Sequence, residues 1–207
     1  MKKYISSFKL CNNPKQLLNL FWENKKIAFI SNARDVYPNS LDRLSREQIN
    51  IDELLDIWLN IEKMDLKKYF WKKWELGEKL KEFWWVFVVG GNTFVLRQAY
   101  QLSGFDEIIL DYEENNHNFV YAWYSAWVCL LWQTLDGYHL VDDPDIYPYD
   151  DIKRTIWSWL WILKYSIAPH YKSNHPESEQ INTMIDYFIE NKILFKTLKD
   201  GESLIYN

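Results

Sequence analysis

Ser125, His170 and the acids Asp142 and Asp143 between them are the residues whose types and spacing would support a chemical reaction. A serine hydroxyl is a weak nucleophile until a base takes its proton, and the base needs a carboxylate to hold its tautomer. Ser125 interrupts two apolar runs, Phe119–Trp123 before it and Trp127–Leu131 after it. That pattern reads as a buried strand bending sharply into a helix. Such a bend lifts the hydroxyl out of the sheet and aims the first helical N–H groups at whatever the serine attacks. His170 ends the short run Tyr165–Pro169 and is the natural base, with Asp142 or Asp143 as its orienting acid. The N–H groups of Gly91 and Ala126 would hold the oxyanion, because a glycine lets the backbone come close. Asn92, beside Gly91, is a candidate for binding substrate.

Each of these residues also has a structural reading. A serine in a strand–helix turn commonly caps the helix. Gly90-Gly91-Asn92 is an adequate helix-entry turn, and Asp142-Asp143-Pro144 is ordinary turn chemistry. What favours a hydrolytic site is convergence, since function in a parallel α/β sheet gathers at the carboxyl ends of the strands. Gly91-Asn92, Ser125 and His170 each follow a separate strand candidate. His117, His139 and His175 lie in polar surroundings and read as solvent-facing. The four histidines lack the spacing and cysteine company of a zinc site, so no metal or cofactor is expected.

The elements that must position these groups alternate. Strands are expected at Lys26–Ser31, Asn60–Leu66, Trp85–Val89, the run into Ser125, and Tyr165–His170. Helices are expected from Ser45 with an apolar stripe of Ile51, Leu54, Leu55 and Trp58, over Lys67–Glu82, from about Phe94, and over Phe105–Glu114. A last one follows Pro176 and carries Ile181, Met184, Ile185, Phe188 and Ile189. Residues 1–25 form an undetermined lead-in with a short helix at Pro14–Trp22. Thr134–Asp151 reads as a long loop. Phe195–Leu198 and Ser203–Tyr206 read as a closing hairpin around Asp200-Gly201. Alternation of this kind implies an α/β fold with a mostly parallel central sheet flanked by helices, in one domain over 1–207.

A net charge of −5 offers no basic stripe for nucleic acid. No cleavable signal and no apolar stretch of membrane-spanning length is visible, so the cytoplasm is the default location. Two cysteines make no disulfide framework, and Cys129 reads as a small buried hydrophobe. Oligomeric state is left open.

Val88-Val89-Gly90-Gly91-Asn92-Thr93-Phe94, Tyr121-Ala122-Trp123-Tyr124-Ser125-Ala126-Trp127 and Ala168-Pro169-His170-Tyr171 together resemble the peptidase E (α-aspartyl dipeptidase) family. That family belongs to the class I glutamine amidotransferase-like superfamily. The resemblance runs from about residue 26 to 206. It implies a flavodoxin-like three-layer sandwich and a metal-free serine peptidase, with Ser125 as nucleophile and His170 as base. The family's acidic member falls after the elbow helix, where Leu140 aligns without gaps and Asp142 and Asp143 lie just beyond. Small peptides with an amino-terminal aspartate are the substrates the resemblance implies.

The chain departs from the family in one systematic way. It has 12 tryptophans and 6 glycines in 207 residues, less than half the usual glycine share of ~7%. Trp123 and Trp127 stand at the two glycine positions of the family's elbow, and Trp159-Leu160-Trp161 stands where members tend to carry Gly-Leu-Gly. Trp58 and Trp84 each end a helix, where glycine is wanted for its left-handed backbone. This pattern is what a UGA codon meaning glycine gives when read as tryptophan; UGG codons at 123 and 127 would exclude that account. Genuine indoles at 123 and 127 would instead crowd the bend. They would favour a second reading, a non-catalytic α/β binding protein.

Overall fold

The computed structural model describes residues 1–20, 26–38, 40–116, 118–124 and 134–206. Six strands form one sheet in the order β3-β2-β4-β5-β1-β8, where β1 is Lys2–Ser6, β2 Lys26–Ile30, β3 Asn60–Lys63, β4 Trp85–Val88, β5 Val120–Tyr124 and β8 Ser203–Tyr206. All neighbours run parallel except β8, which is antiparallel to β1. A separate two-stranded parallel sheet pairs β6 (Ser166–Ala168) with β7 (Phe195–Thr197).

The central strands are apolar on both faces, as a doubly covered parallel sheet requires. Alternation divides them between two cores. Trp85, Phe87, Val120, Ala122 and Tyr124 face one way, with Ile51 and Leu54 of helix α2 (Leu41–Asp56). Val86, Val88, Tyr121 and Trp123 face the other, with helices α3 (Lys73–Leu80), α4 (Thr93–Ser103), α5 (Phe105–Asn115) and α6 (Ser178–Glu190). The result is a flavodoxin-like α/β sandwich. Burial of each large side chain in these layers contributes on the order of 1.5–3 kcal/mol. Helix α2 begins at Ser40, whose Oγ accepts the Arg43 N–H at 3.3 Å.

Five expectations need correction. The lead-in is part of the sheet: β1 lies between β5 and β8, with Lys2 opposite Val120 and Tyr4 opposite Ile205. Only Lys15–Leu18 (α1) of the helix expected at 14–22 is helical among the described residues. The closing hairpin does not form. The Asp200-Gly201 turn instead passes the chain from β7 in one sheet to β8 in the other, because each strand finds a better-buried partner far away in sequence. The stretch 67–82 contains a 3-10 turn at Leu66–Tyr69 and then the shorter α3. The apolar stripe of α2 stops early, since Leu55 and Trp58 are exposed.

Among the described residues three tryptophans stand in left-handed backbone: Trp58 at φ 66°, Trp71 at 62° and Trp161 at 56°. All three are largely exposed. Trp84 is exposed but lacks a positive φ, and Trp159 is buried. Among the described residues no helix is long and apolar enough to cross a membrane.

Candidate active site

The carboxyl ends of β1, β2, β4 and β5 open onto one cleft of about 580 Å³, whose lining includes Phe8, Arg34, Gly90, Gly91, Tyr124 and His175. Ser125 and Ala126 lie outside the described residues, as do Trp127, Cys129 and His117. The last described residue before the serine is Tyr124, which lines this cleft.

His170 stands just beyond β6 with its ring fully buried and its backbone at φ 55°, a strained conformation for a residue with a side chain. Three elements hold it there. Its N–H donates to Ser7 Oγ at 2.8 Å, directly after β1. Its carbonyl accepts from Ser178 Oγ at 3.0 Å, at the start of α6. Its Nδ1 lies 2.6 Å from Asp200 Oδ1, in the turn between β7 and β8. Asp200 is fixed in turn, accepting from Ser7 Oγ at 2.9 Å while its own N–H donates to Ser173 Oγ at 2.8 Å. A carboxylate on Nδ1 holds the imidazole in one tautomer and leaves Nε2 as the atom for proton transfer.

The acids expected in that role are elsewhere. Asp142 is half-buried against the start of α4, accepting from the Thr93 N–H at 2.9 Å and from the Thr93 hydroxyl. Burial pushes its carboxyl up to about 6, against the two Thr93 hydrogen bonds. Asp143 turns its own loop, with Oδ1 accepting the Asp145 N–H at 2.9 Å. Asn92 is also occupied: its Oδ1 caps α4 at the Val95 N–H (2.9 Å) and its Nδ2 donates to Asp143 O (2.8 Å). These residues join the long loop to the start of α4. None of the three touches His170 among the described residues. Sequence reasoning missed Asp200 because Asp-Gly after a short strand signals a turn, and nothing local says what the turn faces.

Gly91 lines the cleft. A Cβ there would come within 2.7 Å of Ala33 O, so the approach of backbone to backbone needs a glycine. Among the described residues no acceptor takes its N–H.

His175 is not solvent-facing. Its ring stacks on His170 with centroids 3.6 Å apart and planes within 8°, and Phe8 meets both rings edge-on. Glu177, beside His175, is pushed up to about 7 by burial and by the charges of Asp142 and Asp200. Ligand atoms of His170, His175 and Glu177 lie within 4.8 Å of one another, the residues here that would hold a metal. The stacked rings carry their lone pairs in parallel planes, so a shared cation would sit out of plane for at least one of them. Arg97 is buried on Asp106 at 2.9 Å and over the Trp159 ring.

The description "Peptidase family S51" matches residues 7–207. The chain belongs to peptidase family S51. Its fold is similar to that of a putative peptidase E from Listeria monocytogenes EGD-e, with a TM-score of 0.78 at 19% identity over 99% of this chain and 93% of that one. A peptidase from an acI-B1 actinobacterium is also similar, with a TM-score of 0.66 at 12% identity over 100% and 83%. No curated protein matches the chain.

In this S51 peptidase the environment of His170 has a consequence for pH. Burial disfavours the imidazolium, the His175 ring adds to that, and the Asp200 carboxylate opposes it without prevailing, so His170 is lowered from 6.5 to about 4. In a reaction that uses His170 as its base, the acid limb of kcat/KM is expected well below 6.5 and toward that value. A limb at 6.5 in a pH–rate profile would show that His170 is solvated as an ordinary histidine. Activity is the proper readout, because stability effects oppose one another. As pH falls, the unfolded chain protonates His170 first and stability is lost between 6.5 and 4. Asp142 and Glu177, both raised, take their protons first in the folded state, so each adds stability as pH falls.

Proposed function

We propose that this S51 peptidase is a serine peptidase of the peptidase E type that hydrolyses short peptides, those with an amino-terminal aspartate among them. The observation that carries the reading is the buried His170–Asp200 couple at 2.6 Å, beside a cleft lined by Gly91 and by the residue that precedes Ser125. Ser125 Oγ attacks the scissile carbonyl while His170 Nε2 takes the hydroxyl proton, and Asp200 stabilises the imidazolium that results. The carbonyl oxygen becomes an oxyanion held by the N–H groups of Gly91 and Ala126. The C–N bond breaks as His170 returns the proton to the leaving amine. Water, activated by the same imidazole, then releases the acid from the serine ester.

The test is hydrolysis of Asp-containing dipeptides by the purified protein, with Ser125→Ala as control. Turnover by the parent and none by the control is the expected result; equal turnover by both overturns the assignment. A second reading, peptide binding without cleavage, takes its support from Trp123. That indole is fully buried two residues before the serine, and its Nε1 has no hydrogen-bond partner among the described residues. A folded parent that binds the dipeptides and leaves them intact would establish it.

A further inference from the structure

We propose that Arg34 anchors a carboxylate of the bound peptide and so sets which peptides the cleft accepts. This rests on the peptidase reading for the peptide nature of the ligand; the carboxylate chemistry comes from Arg34 and its surroundings. Arg34 stands in the 3-10 turn Asn32–Val36 after β2 and forms part of the cleft wall. Its partners are all neutral. Nε donates to Gly90 O at 3.0 Å, and Nη2 donates to Asn50 Oδ1 at 2.8 Å and Tyr124 Oη at 3.1 Å. Nη1 is buried with no hydrogen-bond partner.

The other arginines of the cleft are balanced. Arg43 meets Asp35 at 2.7 Å and Glu47 at 3.4 Å, and Arg46 meets Asp42 at 3.0 Å. Asp35, next in the chain to Arg34, is taken by Arg43, Lys67 and Tyr149. Glu53, whose charge is felt at Tyr124, is paired with Lys9 at 2.7 Å. Arg34 is therefore the cleft arginine left without a counter-charge among the described residues. A guanidinium on a cleft wall whose partners are all neutral keeps an uncompensated positive charge, and a carboxylate is the peptide group that compensates it with a charge-assisted hydrogen bond.

The position of Arg34 says which part of a peptide it would meet. It is bonded to Gly90, one residue from the Gly91 N–H, and to Tyr124, one residue from Ser125. A carboxylate held there belongs to a residue flanking the scissile bond. Two sources share that chemistry: the side chain of an amino-terminal aspartate, and the terminal carboxylate of a dipeptide. Because Nη1 is shielded, engagement exchanges the longer bond to Tyr124 Oη for the ligand.

Calorimetric titration of Ser125→Ala protein, which does not consume its ligand, tests the proposal with Asp-Ala, Asp-Ala amide and Asn-Ala as probes. Arg34→Met and Arg34→Lys are made in that background, with Arg154→Met, an exposed site, as control. Arg34→Met is expected to weaken Asp-Ala binding about tenfold or more, with Lys recovering part of the loss. Insensitivity confined to Asn-Ala assigns the side-chain carboxylate, and insensitivity confined to the amide assigns the terminal one. Equal loss for all three probes, no loss for any, or no binding of any by the Ser125→Ala protein overturns the proposal. If Arg34→Met fails to fold by circular dichroism, Arg34→Lys carries the same comparison. Absence of turnover by the parent would count against the peptidase reading alone, since the binding data need none.

Discussion

Asp200→Asn is expected to lower kcat by about 10⁴-fold, with KM changed little, whereas Asp142→Asn leaves kcat within about threefold. An amide at 200 keeps the shape of the turn, with its nitrogen placed where Asp200 Oδ1 meets both Ser7 Oγ and His170 Nδ1. However, it presents an N–H where His170 Nδ1–H needs an acceptor, so the ring is held in the tautomer that cannot take the serine proton. It also removes the charge that stabilises the imidazolium. At 142 the same change weakens a half-buried acceptor for the two Thr93 donors, which costs about 1 kcal/mol of stability and no chemistry. Steady-state kinetics on an Asp-containing dipeptide, with thermal melts of both variants, separates the two acids. The reverse ranking, with Asp142 essential and Asp200 dispensable, would remove the assignment of the orienting carboxylate.

Trp58→Gly and Trp161→Gly are each expected to stabilise the protein by about 1 kcal/mol, and together to raise Tm by about 4–8 °C. A side chain in the left-handed region places Cβ against the following carbonyl, and glycine has no Cβ. At φ 66° and 56° both indoles carry that strain, and with exposures of 80% and 73% they have little packing to lose. The gain is partly offset by the greater backbone entropy of glycine in the unfolded chain. Trp58→Ala and Trp161→Ala keep the Cβ and should show no such gain, which isolates the backbone term. Trp71, at φ 62°, gains less because its Nε1 donates to Asp151 at 3.0 Å. Melting curves that rank Ala with Gly, or both below Trp, would refute the strain argument.

These backbone angles bear on why tryptophan is so frequent here. Three exposed tryptophans occupy left-handed backbone, and the buried Trp123 and Trp159 leave their Nε1 atoms without partners among the described residues. Both features are what glycine positions would show if filled with indoles. UGA codons at 58, 71 and 161 are the expected finding in the coding DNA, and UGG codons there would end that account.

Much of the site was legible in local pattern, and the reason is its range. The apolar run of β4, the Gly90-Gly91 turn, the capped start of α4 and the histidine at the end of β6 each depend on residues a few positions apart. The long loop was legible as well, though its acids proved to serve α4 rather than His170. Of the α6 stripe Ile181, Met184, Ile185, Phe188 and Ile189, the first four are buried, because helical spacing is a local property, and Ile189, next to the helix end, is exposed.

Other features depend on pairings between residues far apart in the chain. Nothing near Lys2–Ser6 announces that it lies between β5 and β8, because a strand's neighbours are chosen by which faces they bury together. The same competition draws β7 to β6 and β8 to β1, and that separation carries Asp200 to His170. Contact between Ser7, His170, His175 and Asp200 joins opposite ends of the chain, and no spacing in the sequence encodes it. Amino-acid pattern could therefore announce a serine, a histidine and a glycine at strand ends. Which acid meets the histidine, and which cleft arginine lacks a counter-charge among the described residues, followed from packing, where burial and charge balance are settled between distant segments.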